Sequence, residues 1–203
     1  MSLSAAEIEA VVRDLAPRIE GGKIDRIDQP DKHRVLLTIR KGNGCYRLLF
    51  VAHPRFSRLH LLTRRPGKPK PAAGFCNVLR HHITRSPVKS IRQLEGERVV
   101  VLELLRRSAL PGPRPARLIA ELIGTASNLI LLDESDKILG AMFTVNAPER
   151  KVVPGVQYTP LPPPPPSAKA LLNRFADVPI GSDDELALSR AIENLYQELE
   201  GRA

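Results

Sequence analysis

The sequence has no tryptophan, five phenylalanines and three tyrosines. Aromatic packing therefore cannot dominate, and the interior must be built from Leu, Ile and Val within an apolar share of 42%. Only two cysteines occur, Cys45 and Cys76, with no CxxC spacing. A disulfide framework and a zinc site are thereby unsupported, and a reducing cytoplasm is the compartment that fits. No apolar run approaches the roughly 18 residues that span a bilayer. The first ten residues contain Glu7 and Glu9 and no continuous apolar core, unlike a signal peptide. Catalytic signatures are missing too: there is no Gly-rich phosphate loop, no GxSxG and no HExxH. Both cysteines read as buried packing residues rather than nucleophiles. The expectation is a binding module with no catalytic residues, no cofactor and no metal.

What the chain does have is positive charge. Lys and Arg number 31 against 22 acids, a formal charge of +9. Residues 177–203 hold seven acids and two arginines, so the first 176 residues carry 29 bases against 15 acids, or +14. An anionic partner follows, and total charge alone does not choose between nucleic acid, an anionic membrane and an acidic protein. The length of 203 residues allows one large domain, or one domain and the start of a second.

Ile8, Val11, Val12, Leu15 and Ile19 recur at helical spacing, and Ser4 stands three residues before Glu7, which predicts a capped helix over 4–20. Strands are expected at 23–29, 35–40, 45–52 and 58–62, with turns at Gln29-Pro30-Asp31-Lys32 and Gly42-Asn43-Gly44. A second helix is expected at 72–84, ended by Pro87. Further strands follow at 88–94, 97–106, 116–123, 127–133 and 137–144. The fold class is α+β with mainly antiparallel sheet. Five prolines at 162–166 form the expected boundary: a domain over 1–160, a polyproline linker over 161–167, and a helical segment over 168–203.

Six pieces in fixed order carry a resemblance. They are Gly21-Gly22-Lys23-Ile24-Asp25-Arg26-Ile27 with Gln29-Pro30-Asp31-Lys32; His53-Pro54 with Arg58-Leu59-His60-Leu61; Phe75-Cys76 with Leu79-Arg80; Ile119-Ala120-Glu121-Leu122-Ile123-Gly124; Ser127-Asn128-Leu129-Ile130-Leu131; and Pro154-Gly155-Val156-Gln157-Tyr158. Over about residues 1–160 the chain resembles the N-terminal domain of the NFACT family, which includes RqcH and NEMF proteins and proteins called fibronectin-binding. The resemblance implies two antiparallel sheets flanked by helices, similar to the N-terminal domain of formamidopyrimidine-DNA glycosylases. It implies a tRNA- and large-ribosomal-subunit-binding role in ribosome-associated quality control, supporting template-free tailing of stalled chains. The rival is a fibronectin-binding or general protein-interaction module. Repair chemistry is not implied, since Ser2 follows the initiator Met where those glycosylases have Pro. Full-length members also carry a coiled coil and a C-terminal RNA-binding domain, and 168–203 would be the start of a following helical domain.

Three stretches are candidate RNA contacts. Arg55, Arg58, Arg64, Arg65, Lys68 and Lys70 lie in a stretch without acids, which either tracks a phosphate backbone or is a solvated loop. Arg80 and His81 would sit on the surface of the second helix; adjacent histidines point in different directions, which argues against a metal. Glu97-Arg98 is expected to open a strand after Gly96, and the resemblance implies that this pair contacts tRNA. Where the family usually has Asp near the first helix, Asp-Arg, and Gly-Arg-His-Ser-Asn, this chain has Ser4, Glu97-Arg98 and Gly124-Thr125-Ala126-Ser127-Asn128. Glu for Asp displaces a carboxylate by about 1.5 Å. Gly124 with Ser127 and Asn128 reads as a structural turn.

Overall fold

The computed structural model describes residues 3–63, 74–106 and 112–161. The linker and C-terminal helical segment expected at 161–203 lie outside the described residues beyond Leu161, as do Arg64, Arg65, Lys68 and Lys70.

Helix α1 (Ala5–Ile19) begins as the sequence predicts. Ser4 caps it and forms the capping box with Glu7, whose Oε2 accepts from the Ser4 backbone N–H at 2.8 Å and from its hydroxyl at 3.0 Å. Its apolar stripe, Ile8, Val11, Val12, Leu15 and Ile19, is buried. Strands β1 (Lys23–Asp31), β2 (Arg34–Lys41), β3 (Gly44–Val51) and β4 (Arg58–Leu61) form one antiparallel meander in that order. The first turn is at Lys32-His33 and not at 29–32. Pro30 stays in β1 because β1 is an edge strand and its register breaks between Asp28 and Asp31, where no ladder donor is needed.

Helix α2 (Phe75–Ile83) buries Phe75, Cys76, Leu79 and Ile83. Strands β5 (Val88–Gln93), β6 (Val99–Arg106), β7 (Arg114–Glu121), β8 (Asn128–Leu132) and β9 (Ile138–Ala141) make a second antiparallel meander, followed by a small hairpin, β10 (Val145–Asn146) and β11 (Lys151–Val152). Strand β6 starts at Val99, so Glu97 and Arg98 lie in the preceding turn and not in the strand. Cys76 is buried as expected, but Cys45 is exposed, because it opens β3 beside the hairpin at Gly42–Gly44.

The inner faces of both sheets and both helices share one core. The sheets are joined at a corner, where the Gly21 N–H donates to the Val88 carbonyl at 2.9 Å and the Val88 N–H donates to the Gly22 carbonyl at 2.8 Å. This corner explains Gly22. A Cβ there would stand 2.7 Å from Ile39 Cγ2 and 2.9 Å from the Ile19 carbonyl oxygen, and backbone cannot yield. Gly22→Ala should cost about 1–3 kcal/mol of stability by overpacking, read as a lower urea midpoint with an unchanged slope; a midpoint equal to wild type would contradict the close approach.

Candidate nucleic-acid interface

At one end of the two sheets, four connections converge: the β1–β2 turn, the β3–β4 loop, the turn before β6, and a short 3-10 helix, Gly124–Ala126, that follows β7. Gly124 has φ +51, and a Cβ there would face the Pro54 carbonyl oxygen at 3.7 Å. The positive φ, and not crowding, is the demand for glycine.

Arg98 lies where the turn becomes β6. Its carbonyl accepts from Leu122 at 2.8 Å, and its side chain follows the alternation of Val100 and Leu102, both in the inter-sheet core. The guanidinium thus enters the end of the interior and reaches the Ser57 hydroxyl at 3.5 Å, the limit of a hydrogen bond. Burial lowers its pKa from the ordinary value. It makes no ion pair with an acid among the described residues, whereas Arg80, Arg106, Arg114 and Arg150 are each bound to a carboxylate. Glu97 points to solvent; its N–H donates to the Leu94 carbonyl at 2.9 Å and its carbonyl accepts from Gln93 at 2.6 Å. Ser57 also holds the chain start, since its carbonyl accepts from the Leu3 N–H at 3.3 Å. Arg98, Ser57 and the capped start of α1, with Ser4, therefore form one neighbourhood.

Beside it lies a ring cluster. His53 stacks on Phe56 with centroids 3.6 Å apart, His33 meets His53 edge-on at 4.7 Å, and Phe143 tilts against His33 at 5.4 Å. His33 Nδ1 lies 3.0 Å from the Ala52 carbonyl oxygen; a carbonyl only accepts, so this nitrogen carries the proton. His53 Nδ1 accepts from the Arg55 N–H at 3.1 Å, so its proton belongs on Nε2 in the neutral ring. Phe143 is held by Asn128, whose amide donates to the Phe143 carbonyl at 2.8 Å and accepts from its N–H at 3.0 Å. The structural reading of Ser127-Asn128 thereby acquires a partner: the side chain ties β8 to the segment that meets the first sheet.

The sequence-derived residues divide three ways. Arg55 is exposed on the β3–β4 loop, two residues from Ser57, and with Arg98 belongs to this end. Arg58 does not face solvent as the basic stretch implied: it is 3% exposed, donates to the Phe56 carbonyl at 3.1 Å and lies 6.0 Å from the Phe56 ring centroid. Its strand position, opposite Val51, explains this, because it belongs to a covered sheet face and not to a loop. Arg80 sits on α2 but is committed to β1, with Nε donating to the Ile27 carbonyl at 2.8 Å and Nη2 paired with Asp28 at 3.3 Å. His81 is exposed and meets His82 edge-on at 4.7 Å. Helix α2 shares no hydrogen bond with Arg55 or Arg98 among the described residues. Sequence reasoning missed His33, Ser57 and Phe143; only His53 carried a signal, through its place in the His53-Pro54 piece.

Among the described residues no group of three or more His, Cys, Asp or Glu is placed to hold a metal, and no helix is long and apolar enough to cross a membrane.

Comparison with known proteins bears on this geometry. A family model described as NFACT N-terminal and middle domains matches residues 5–201. The chain is 30% identical over 167 residues to the Rqc2 homolog RqcH of Bacillus subtilis, covering 80% of this chain and 29% of that protein. It is 31% identical over 175 residues to the Rqc2 homolog RqcH of Streptococcus pneumoniae, covering 84% and 31%. The chain thus spans about 30% of the length of these relatives. Among solved structures, the N-terminal domain of fibronectin-binding protein PavA from Streptococcus pneumoniae superposes with a TM-score of 0.74 at 28% identity, over 92% of this chain and 68% of that one.

Proposed function

We propose, from the premise that this chain belongs to the NFACT N-terminal domain family, that it binds RNA and does not catalyse, with Arg98 and Arg55 as its central contacts. The ligand class is tRNA together with large-subunit ribosomal RNA, in ribosome-associated quality control, and the role is to support template-free tailing by holding the tRNA. The observation that carries this reading is the half-buried Arg98 guanidinium with no acid partner among the described residues. A cation drawn out of water without a counter-ion costs free energy that an incoming phosphate or base acceptor offsets. Arg106 and Arg150 are each paired with a carboxylate, whereas Arg98 has no acid partner and its Nε no hydrogen-bond acceptor among the described residues.

The test is titration of labelled tRNA onto the 203-residue chain at 50 and 200 mM salt. About three phosphate contacts predict a fall in affinity of roughly 20- to 40-fold over that range through counterion release. No binding at 50 mM would refute the reading. A protein-interaction role is favoured by one observation, the likeness to the domain of PavA, a fibronectin-binding protein. Capture by immobilised fibronectin, in salt where tRNA does not bind, would put that role first.

A further inference from the structure

Strand β5 touches the rest of the fold at both of its ends. At Val88 the joint is the pair of backbone bonds with Gly21 and Gly22. At the far end Gln93 stands on the inner face, two residues beyond the core residue Ile91 and opposite Val100 in the register. Its amide nitrogen donates twice, to the Ala5 carbonyl in the first turn of α1 at 2.8 Å and to the Glu97 carbonyl at 2.6 Å. Carbonyls only accept, so the amide's orientation is fixed, and Oε1 is left buried without a partner among the described residues. Neither bond rescues a buried acceptor. The Ala5 carbonyl lies inside α1, where the helical ladder already supplies a donor, and the bond to Glu97 is exposed to water.

We propose that Gln93 is a positioning residue for Arg98. The turn 94–98 closes through local bonds: the Leu94 N–H donates to the Val99 carbonyl and the Glu97 N–H to the Leu94 carbonyl, each at 2.9 Å. The Leu122 N–H, donating to the Arg98 carbonyl at 2.8 Å, adds a tie to β7. These bonds fix the turn within the second sheet, and none of them reaches the first. Ser57, which the guanidinium meets, precedes β4 of the first sheet. Gln93 supplies the tie across, because Ala5 belongs to the capped start of α1, and that start is bonded to Ser57 through the Leu3 N–H at 3.3 Å. A closed ring results, running from Ser57 through Leu3 to Ala5, on to Gln93 and Glu97, and back through Arg98. Arg98 holds the longest bond in it, at 3.5 Å, so the rest of the ring decides where its guanidinium stands. A charged donor binds an acceptor well only over a narrow range of distance and angle. Loosening the turn should therefore weaken binding without removing a contact residue. That consequence rests on the RNA-binding reading, whereas the placement of Arg98 by the ring does not.

The experiment uses the whole chain carrying Gln93→Met, which keeps the side chain's length and removes both donors, with Gln93→Leu as a second form. Without RNA, the Nε–H resonance of Arg98 should shift, and the Leu122 amide should exchange at least about threefold faster. The Nε–H of Arg80, bonded to the Ile27 carbonyl, should stay in place. The melting temperature should remain within about 5 °C of wild type. Affinity for tRNA should fall about 3- to 30-fold, with an unchanged slope of log affinity against log salt, since no charge is removed. On an Arg98→Ala background the same change should cost less than about twofold, because the positioned side chain is gone. A merely structural role gives a different pattern: equal losses on both backgrounds, or a lower melting temperature with affinity intact. Either result overturns the proposal, and so does an Arg98 resonance that stays put in both variants. A displaced Arg98 resonance with no tRNA binding by any form, wild type included, removes the RNA reading and leaves the positioning standing.

Discussion

Replacing Glu121 by Ala should destabilise the protein by about 3–5 kcal/mol, the range for removing one partner of a buried ion pair. Glu121 ends β7 with 0% exposure. Its carboxylate accepts from Arg150 Nη1 at 3.0 Å, from Arg150 Nη2, and from the Tyr158 hydroxyl at 2.8 Å. Burial and the Glu121 charge both push the Tyr158 hydroxyl up from its ordinary pKa, so it stays protonated and donates. These bonds fasten the segment running from β10 to Tyr158 over the outer face of the second sheet, where Val99, Val101, Ile119, Ile130, Leu132, Ile138 and Val152 form their own cluster. Without the carboxylate, the Arg150 guanidinium, with its side chain 11% exposed, keeps its charge and loses its counter-ion. For a chain of this size the loss corresponds to a melting temperature lower by roughly 6–20 °C. Tyr158→Phe, which removes one hydrogen bond, should cost only about 1 kcal/mol. The double change Glu121→Leu/Arg150→Met should recover most of the loss, since apolar groups of similar volume replace buried pairs at little cost. A thermal melt of Glu121→Ala that coincides with wild type would show the pair to be dispensable.

This ion pair also shows what sequence can and cannot carry. Glu121 and Tyr158 each stood inside a piece that marked the family, but no spacing rule announces that residues 37 apart will meet. Local chemistry was legible: the Ser4–Glu7 capping box formed as predicted, and the helical stripe of α1 is the buried one. Errors arose where tertiary context overrides local pattern. Pro30 looked like a turn signal but occupies an edge strand at a register break, which tolerates a missing donor. Arg58 was counted with the basic loop by charge, although its strand was already expected; its row with Val51 makes it a covered residue. Arg98 was assigned to a strand beginning at Glu97, whereas the turn extends through it and its side chain enters the interior instead of standing on a surface. A mixed fold of mainly antiparallel sheet followed from periodicity, and the division into two antiparallel sheets with helices, which the described residues have, was what the resemblance implied. The convergence of His33, Ser57, Arg98 and Phe143 did not, because it depends on how the two sheets face each other.

Arg98→Ala should weaken tRNA binding by roughly 10- to 100-fold, the loss expected when charge-assisted hydrogen bonds worth about 1.5–3 kcal/mol are removed. Folding should suffer little. Among the described residues the side chain makes one hydrogen bond, at the limiting length of 3.5 Å, and its burial already disfavours the charged form, so deletion relieves a desolvation cost as it removes that bond. The melting temperature is therefore expected to stay close to wild type, which separates this variant from Glu121→Ala. Arg98→Lys distinguishes charge from shape: a lysine keeps the counterion term but not the planar fork, so the salt dependence should persist while affinity falls part of the way. Loss of one phosphate contact in Arg98→Ala should reduce the slope of log affinity against log salt by about 1. Arg80→Ala supplies the contrast. That guanidinium is committed to the Ile27 carbonyl and Asp28, so its removal should lower stability and leave tRNA affinity within about twofold. Equal affinities for Arg98→Ala and wild type, measured on folded protein, would move the interface away from this end of the sheets.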